Sequence, residues 1–194
     1  KAFYEWQVGR SEQEFAEWFD FAAVEKARAA RVPNVMVSTM GFYPGGAEIF
    51  PIRLANEFRR QGVPVLLLST GLAAREDGVR RMLRNDVPVV ETFDIAPVKS
   101  IIEDFGIEVL NTHQWHIQKY PVQLPDVFVG LRSHVATLHE MIEHGNAFAV
   151  TEGELRVADR NVTTWVYTAD KNLGPFMGFG MVPEHGSRFV KMPN

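Results

Sequence analysis

The chain has 194 residues, of which 46% are hydrophobic and 23% charged, with a formal net charge of −4 and no cysteine. This composition excludes a disordered chain, disulfides and thiolate metal centres, and the charge gives no support for a nucleic-acid surface. No apolar run approaches the ~20 residues of a transmembrane helix and no signal peptide is visible, so the expectation is a cytoplasmic protein, or one held peripherally at a membrane.

Residues 11–30, SEQEFAEWFDFAAVEKARAA, read as an amphipathic helix. Ser11 and Glu14 form a capping box, Phe15, Trp18, Phe19 and Ala22 fall on one face, and Pro33 ends the segment. The aromatic stripe either packs on the domain that follows or meets a partner. Residues 1–32 are thus expected to be a helical extension, and 33–194 a single domain.

From residue 34 the pattern becomes strand, helix, strand. NVMVSTM and VPVLLLST are nearly continuous apolar runs, as expected of parallel strands buried on both faces. Between them, AEIFPIRLANEFRRQG carries Ile52, Ala55 and Phe58 at helical spacing and ends at Gly62; Pro51 requires that the helix begin late or bend. VPVVET follows as a strand, IAPVKSIIEDFG as a helix closed by Gly106, and IEVLNTHQ, SHVATLHE and TTWVYTAD as further strands. The alternation predicts an α/β, Rossmann-like, mainly parallel sheet with helices on both faces. Ligands of such sheets sit beyond the carboxyl ends of the strands, the edge shared by STMGFYPGG, NTHQWH and TLHEM.

The loop STMGFYPGGAEIF, residues 38–50, holds Gly41, Gly45 and Gly46 between a strand and a helix. Such glycines supply a positive φ or a backbone with no Cβ in the way. The loop is either a phosphate seat at a helix N-terminus or an ordinary turn. G-x-G-x-x-G is absent. Gly41 to Gly46 has the P-loop spacing, but Ala47-Glu48 replaces its Lys-Ser/Thr, so nucleotide hydrolysis is not expected, while a diphosphate held by backbone N–H groups stays open. His139, Glu140, Glu143 and His144 fit neither H-E-x-x-H nor H-x-x-E-H, and no metal site is expected. There is no G-x-S-x-G elbow, and the acidic residues are too scattered to argue a carboxylate pair. The sequon at Asn161 reads as chance in a chain with neither cysteine nor signal peptide.

Taken together, several segments resemble the retaining glycosyltransferases of the GT-B fold, family 4. Gly45-Gly46-Ala47-Glu48 is similar to their G-G-x-E turn, FGIEVLNTHQW to the segment D-V-V-H-x-H-x-W (with Glu108 and Asn111 as departures), and VATLHE to T-x-H-[DE]. RRQGVPVLLLST resembles their second strand, TTWVYTADKN the strand before the last helix of the N-terminal domain, and FVKMPN the V-x-P-N-G strand with which the second domain opens. The resemblance runs in order from about residue 33 to the end. It implies the first, acceptor-side half of a two-domain enzyme that moves a sugar from a nucleotide-sugar donor to a glycan, lipid or small-molecule acceptor. The donor domain would be absent, and the fragment inactive by itself.

The resemblance also implies residue roles. Gly45 and Gly46 would meet the donor diphosphate, and His139 would be the catalytic residue beside the donor sugar, with Glu140 orienting its turn. His113, Trp115 and His116 would contact the acceptor, Trp115 by stacking on a sugar face, although core packing is an equal reading of that ring. No cofactor beyond the donor substrate and no metal would be needed. Two other classes stay open: a non-catalytic α/β module that binds a sugar or small anion, and, less favoured without G-x-G-x-x-G, half of a dehydrogenase.

Overall fold

The structure is a computed structural model that describes residues 34–71, 76–92, 94–113, 115–139, 150–182 and 186–192, together with Lys26 and Ala29. The capping box and aromatic stripe read over 11–30 lie outside the described residues, as does Glu140.

The apolar runs form the strands expected of them. In chain order the elements are β1 (Asn34–Thr39), α1 (Gly46–Arg60), β2 (Val65–Ser69), α2 (Asp77–Arg80), β3 (Val89–Glu91), α3 (Ala96–Asp104) and β4 (Ile107–Thr112). They continue with α4 (Trp115–Gln118), α5 (Tyr120–Gln123), β5 (Ser133–Leu138), α6 (Glu152–Asn161), β6 (Thr164–Tyr167), α7 (Gly174–Gly178) and β7 (Phe189–Lys191). The sheet order is β3-β2-β1-β4-β5-β6-β7, and every pair is parallel. This is a Rossmann-like α/β fold. The chain winds outward from β1 to β3, then returns to β4 on the other side of β1, so the topological switch point lies between β1 and β4.

Because successive strand residues point to opposite faces, each strand feeds two cores. Val35 and Val37 of β1 pack with Leu67, Val89 and the α1 residues Ile52 and Ala55. Met36 faces the other way, with Leu68, Leu110 and the α3 residues Val98, Ile101 and Ile102. A third cluster, around Trp165, Phe176, Leu155 and Ala158, completes the β5–β7 side. Each fully buried aliphatic side chain contributes on the order of 1.5–3 kcal/mol.

Helix ends follow local chemistry. α1 stops in a Schellman motif: Gly62, at φ +78°, donates to the Arg59 carbonyl, and Val63 donates to that of Phe58. Pro51 sits inside α1, which starts at Gly46, so the helix does not begin late. Phe189–Lys191 differs from its sequence reading as the start of a second domain. It pairs in parallel with β6 as the seventh strand of this same sheet. Arg188, just before it, is tied to α6 by an ion pair with Asp159 at 3.2 Å, and Asp159 also accepts from Trp165 Nε1 at 2.9 Å.

Candidate functional site

Register decides which polar side chains meet at the carboxyl edge. Val37 of β1 lies beside Asn111 of β4, which lies beside Val135 of β5. Counting on by twos, His113 and His139 fall on the same face as these three, the face that α1 covers. The two histidines touch: His113 Nδ1 lies 2.9 Å from His139 Nε2, with the rings stacked at 5.2 Å between centroids. Phe50 of α1 packs on both, at 5.4 Å from His113 and 5.3 Å from His139. The ends of β4 and β5 and the first turns of α1, which follows β1, therefore meet at the carboxyl edge beside the switch point, where α/β sheets bind ligands.

His113 is 3% exposed, and burial, with His139 next to it, holds its pKa well below the usual histidine value. Burial also lowers the pKa of His139. Both rings are therefore neutral at pH 7, and a single proton lies between the two facing nitrogens. His113 Nε2 is buried and has no hydrogen-bond partner among the described residues; the same holds for Asn111 Oδ1 on the same face. This pair is a hydrogen-bonding device rather than a charge.

The opening loop is anchored by the chain itself. Phe42 is 1% exposed in the core beneath α1, its carbonyl accepts from the Glu76 N–H at 2.7 Å, and the Arg80 guanidinium lies 5.1 Å from the centre of its ring. The two glycines differ from the expectation of a positive φ. Gly45 is the N-cap of α1 at φ −105°, and Gly46 is the first residue of the helix. What Gly45 supplies is room: a Cβ there would collide with the Glu48 carboxylate, which folds back over it. Glu48, third in the helix and 9% exposed, takes the place of the acidic member of a capping box and complements the positive end of the helix. On that side of Gly45 a second anion would meet a carboxylate. Gly46 is exposed, and a Cβ on it meets nothing within 4 Å.

Trp115 belongs to the core. It is 7% exposed and packs in the cluster of Ala136, Leu138 and Leu155, so it is not placed to stack on a sugar. His116 lies in the short helix α4, beyond the end of β4. Among the described residues no group of three or more histidine, aspartate or glutamate side chains is placed to hold a metal ion. Phe50 was not among the residues picked out from the sequence. Its signal was there, since it stands one helical turn after Gly46 and so on the same side of α1.

No protein-family description and no curated protein matches the chain in sequence. Solved structures similar to it include the UDP-glucose 4-epimerase of Thermotoga maritima with UDP-glucose, at 12% identity and a TM-score of 0.42 over 70% of this chain. Another is the Bordetella bronchiseptica enzyme WbmH in complex with NAD+, at 12% identity and a TM-score of 0.45 over 80% of this chain. The chain spans 54% of the first and 64% of the second. The assignment of the fold rests on the strand order itself. No described helix is long and apolar enough to cross a membrane.

Proposed function

We propose that this chain is the acceptor-side half of a retaining glycosyltransferase of the GT-B type, acting on a nucleotide-sugar donor and a sugar or glycoconjugate acceptor. The observation that carries the reading is the contact of His113 with His139 at the switch point, against Phe50 and beside the N-terminus of α1. Residues of two family-like motifs far apart in sequence, His113 and His139, are in contact, and Phe50, two residues after the Gly45–Glu48 turn, packs on both.

The chemistry suits the groups. Sugar transfer leaves negative charge on the diphosphate and builds positive character at the anomeric carbon. A neutral imidazole hydrogen-bonds a sugar hydroxyl beside that centre without opposing its charge, which is the role given to His139. Preorganised N–H groups stabilise the leaving diphosphate without a metal. Glu48 crowds one side of Gly45, so the diphosphate is assigned to the open Gly46 end of α1. Glu140 and His116 keep their proposed parts in orienting the His139 turn and meeting the acceptor. A donor domain of the same protein supplies the other wall of the cleft, because transfer requires both substrates held in line.

The test uses protein containing both halves, supplied with UDP-, GDP- and ADP-sugars and a panel of sugar acceptors. Transfer with the anomeric configuration of the donor retained, unaffected by EDTA, is expected, with no turnover by this chain alone. Turnover by this chain alone overturns the two-domain reading. Saturable sugar binding by it, with no transfer by the two-domain protein, identifies a binding module instead.

A further inference from the structure

The pair of histidines is asymmetric, and the asymmetry assigns a role to the deeper ring. Two neutral imidazoles that share one hydrogen bond have two arrangements. In the first, His113 Nδ1–H donates to the lone pair of His139 Nε2, which leaves His113 Nε2 bare and puts the remaining proton of His139 on Nδ1. In the second, His139 Nε2–H donates, and His113 Nε2 must carry the N–H.

The surroundings of His113 Nε2 separate them. That nitrogen is buried with no partner among the described residues. Buried orphan N–H groups are rarer than buried acceptors with an empty lone pair. Asn111 Oδ1, an acceptor two residues back on the same face of β4, is also without a partner among the described residues. Phe50 packs on both rings and limits their rotation.

We propose that His113 is a positioning residue that fixes the tautomer of His139, donating from Nδ1 so that His139 presents Nδ1–H to the oxygen of a sugar hydroxyl in the crevice. The inference rests on the role given to His139 in the proposed function, but the tautomer can be read without any transfer assay. His113 thus acts through His139 and does not touch substrate.

The experiment is nitrogen NMR of the 15N-histidine-labelled chain, with His113→Asn and His113→Leu as comparisons. Asparagine keeps an amide N–H near the position of Nδ1; leucine fills the space and donates nothing. Wild type and His113→Asn should show His139 protonated at Nδ1 with a bare Nε2, and His113→Leu should show a mixture. In the two-domain protein, His113→Leu should lower kcat about tenfold with donor KM within about twofold, and His113→Asn should recover most of the loss. A wild-type spectrum with the proton on His139 Nε2 overturns the inference, even if transfer is observed. The expected spectrum in a protein that transfers no sugar supports the pairing and overturns the function it was meant to serve. If His113→Leu does not fold, the wild-type spectrum decides alone.

Discussion

His134 and His113 stand on neighbouring strands, are both almost fully buried, and face opposite sides of the sheet. His134 is the second residue of β5. Its Nε2 lies 2.8 Å from the Thr112 hydroxyl, and its ring meets Phe128 edge-on at 4.9 Å, inside the core beneath α3. His113 lies just past the carboxyl end of β4, bonded to His139. Burial depresses the pKa of both, His134 to about 3. Depth and pKa therefore do not separate the structural ring from the one at the site. Position along the strand does, because only the carboxyl edge of a parallel sheet faces a crevice.

The largest effects should split along that line. His134→Ala leaves a void against Phe128 and an unpaired Thr112 hydroxyl, and should cost about 3 kcal/mol, a fall in Tm of roughly 6–12 °C by calorimetry. Turnover per folded molecule of the two-domain protein should not change. His139→Ala should show the opposite balance, with a smaller fall in Tm, from the partner that buried His113 loses. Its loss in kcat should be on the order of 10²-fold, since its proposed contact matters most as charge develops at the anomeric carbon. If the two variants lose kcat equally, or His139→Ala keeps full turnover, the division between structural and functional histidines fails.

A smaller effect concerns acid. His134, His113 and His139 all have folded pKa values below their unfolded value near 6.5, so below that pH the unfolded chain binds more protons than the folded one. Stability is then fully present above about pH 6.5 and falls as the pH drops, by about 1.4 kcal/mol per pH unit for each such ring. Chemical denaturation between pH 6 and 5 reads this slope mainly from the histidines. Glu57 and Asp86, both lowered to about 2 by their hydrogen-bonded arginine partners, stay ionised in the fold there, and unfolded carboxylates are still mostly ionised. His134→Gln, which keeps an amide at the Thr112 hydroxyl, should remove one ring's share of the slope. An unchanged slope would mean that His134 is already protonated in the fold.

Much of this was legible in the sequence, for reasons that can be named. Parallel strands buried on both faces need continuous apolar runs, so β1, β2, β4, β5 and β6 stood out, as did the Gly62 and Gly106 helix ends. Helix α6 carries its own signal in the sequence: Thr151 and Glu154 have the capping-box spacing of Ser11 and Glu14, and the structure closes the box through Thr151 Oγ1 and Glu154 Oε2. The helices α4, α5 and α7, of four or five residues, are too short for any periodicity to show. His113 and His139 were each picked out, but their contact depends on the register of two strands 26 residues apart, which no local pattern encodes. Glu48 looked like helix-forming sequence, and only the fold shows its carboxylate at the helix end that a phosphate would use.

That carboxylate makes Gly45 and Gly46 the finest comparison, with the smallest expected effect. At Gly45 a Cβ collides with Glu48, so Gly45→Ala must push the carboxylate away and should lower stability without any ligand present. At Gly46 the backbone is helical and the space open, so Gly46→Val should fold with a change within about 0.5 kcal/mol, as surface substitutions do. Any loss it causes must then come from something that approaches in the complex. If the donor diphosphate meets the N–H groups at this end of α1, the valine methyls should weaken it by about one hydrogen bond. That is roughly 1 kcal/mol, or a fivefold rise in donor Kd by calorimetric titration of the two-domain protein. Donor affinity left unchanged by Gly46→Val would remove the diphosphate from this end of the helix, and the glycine pair would then be only the turn that leaves room for the Glu48 carboxylate at the start of α1.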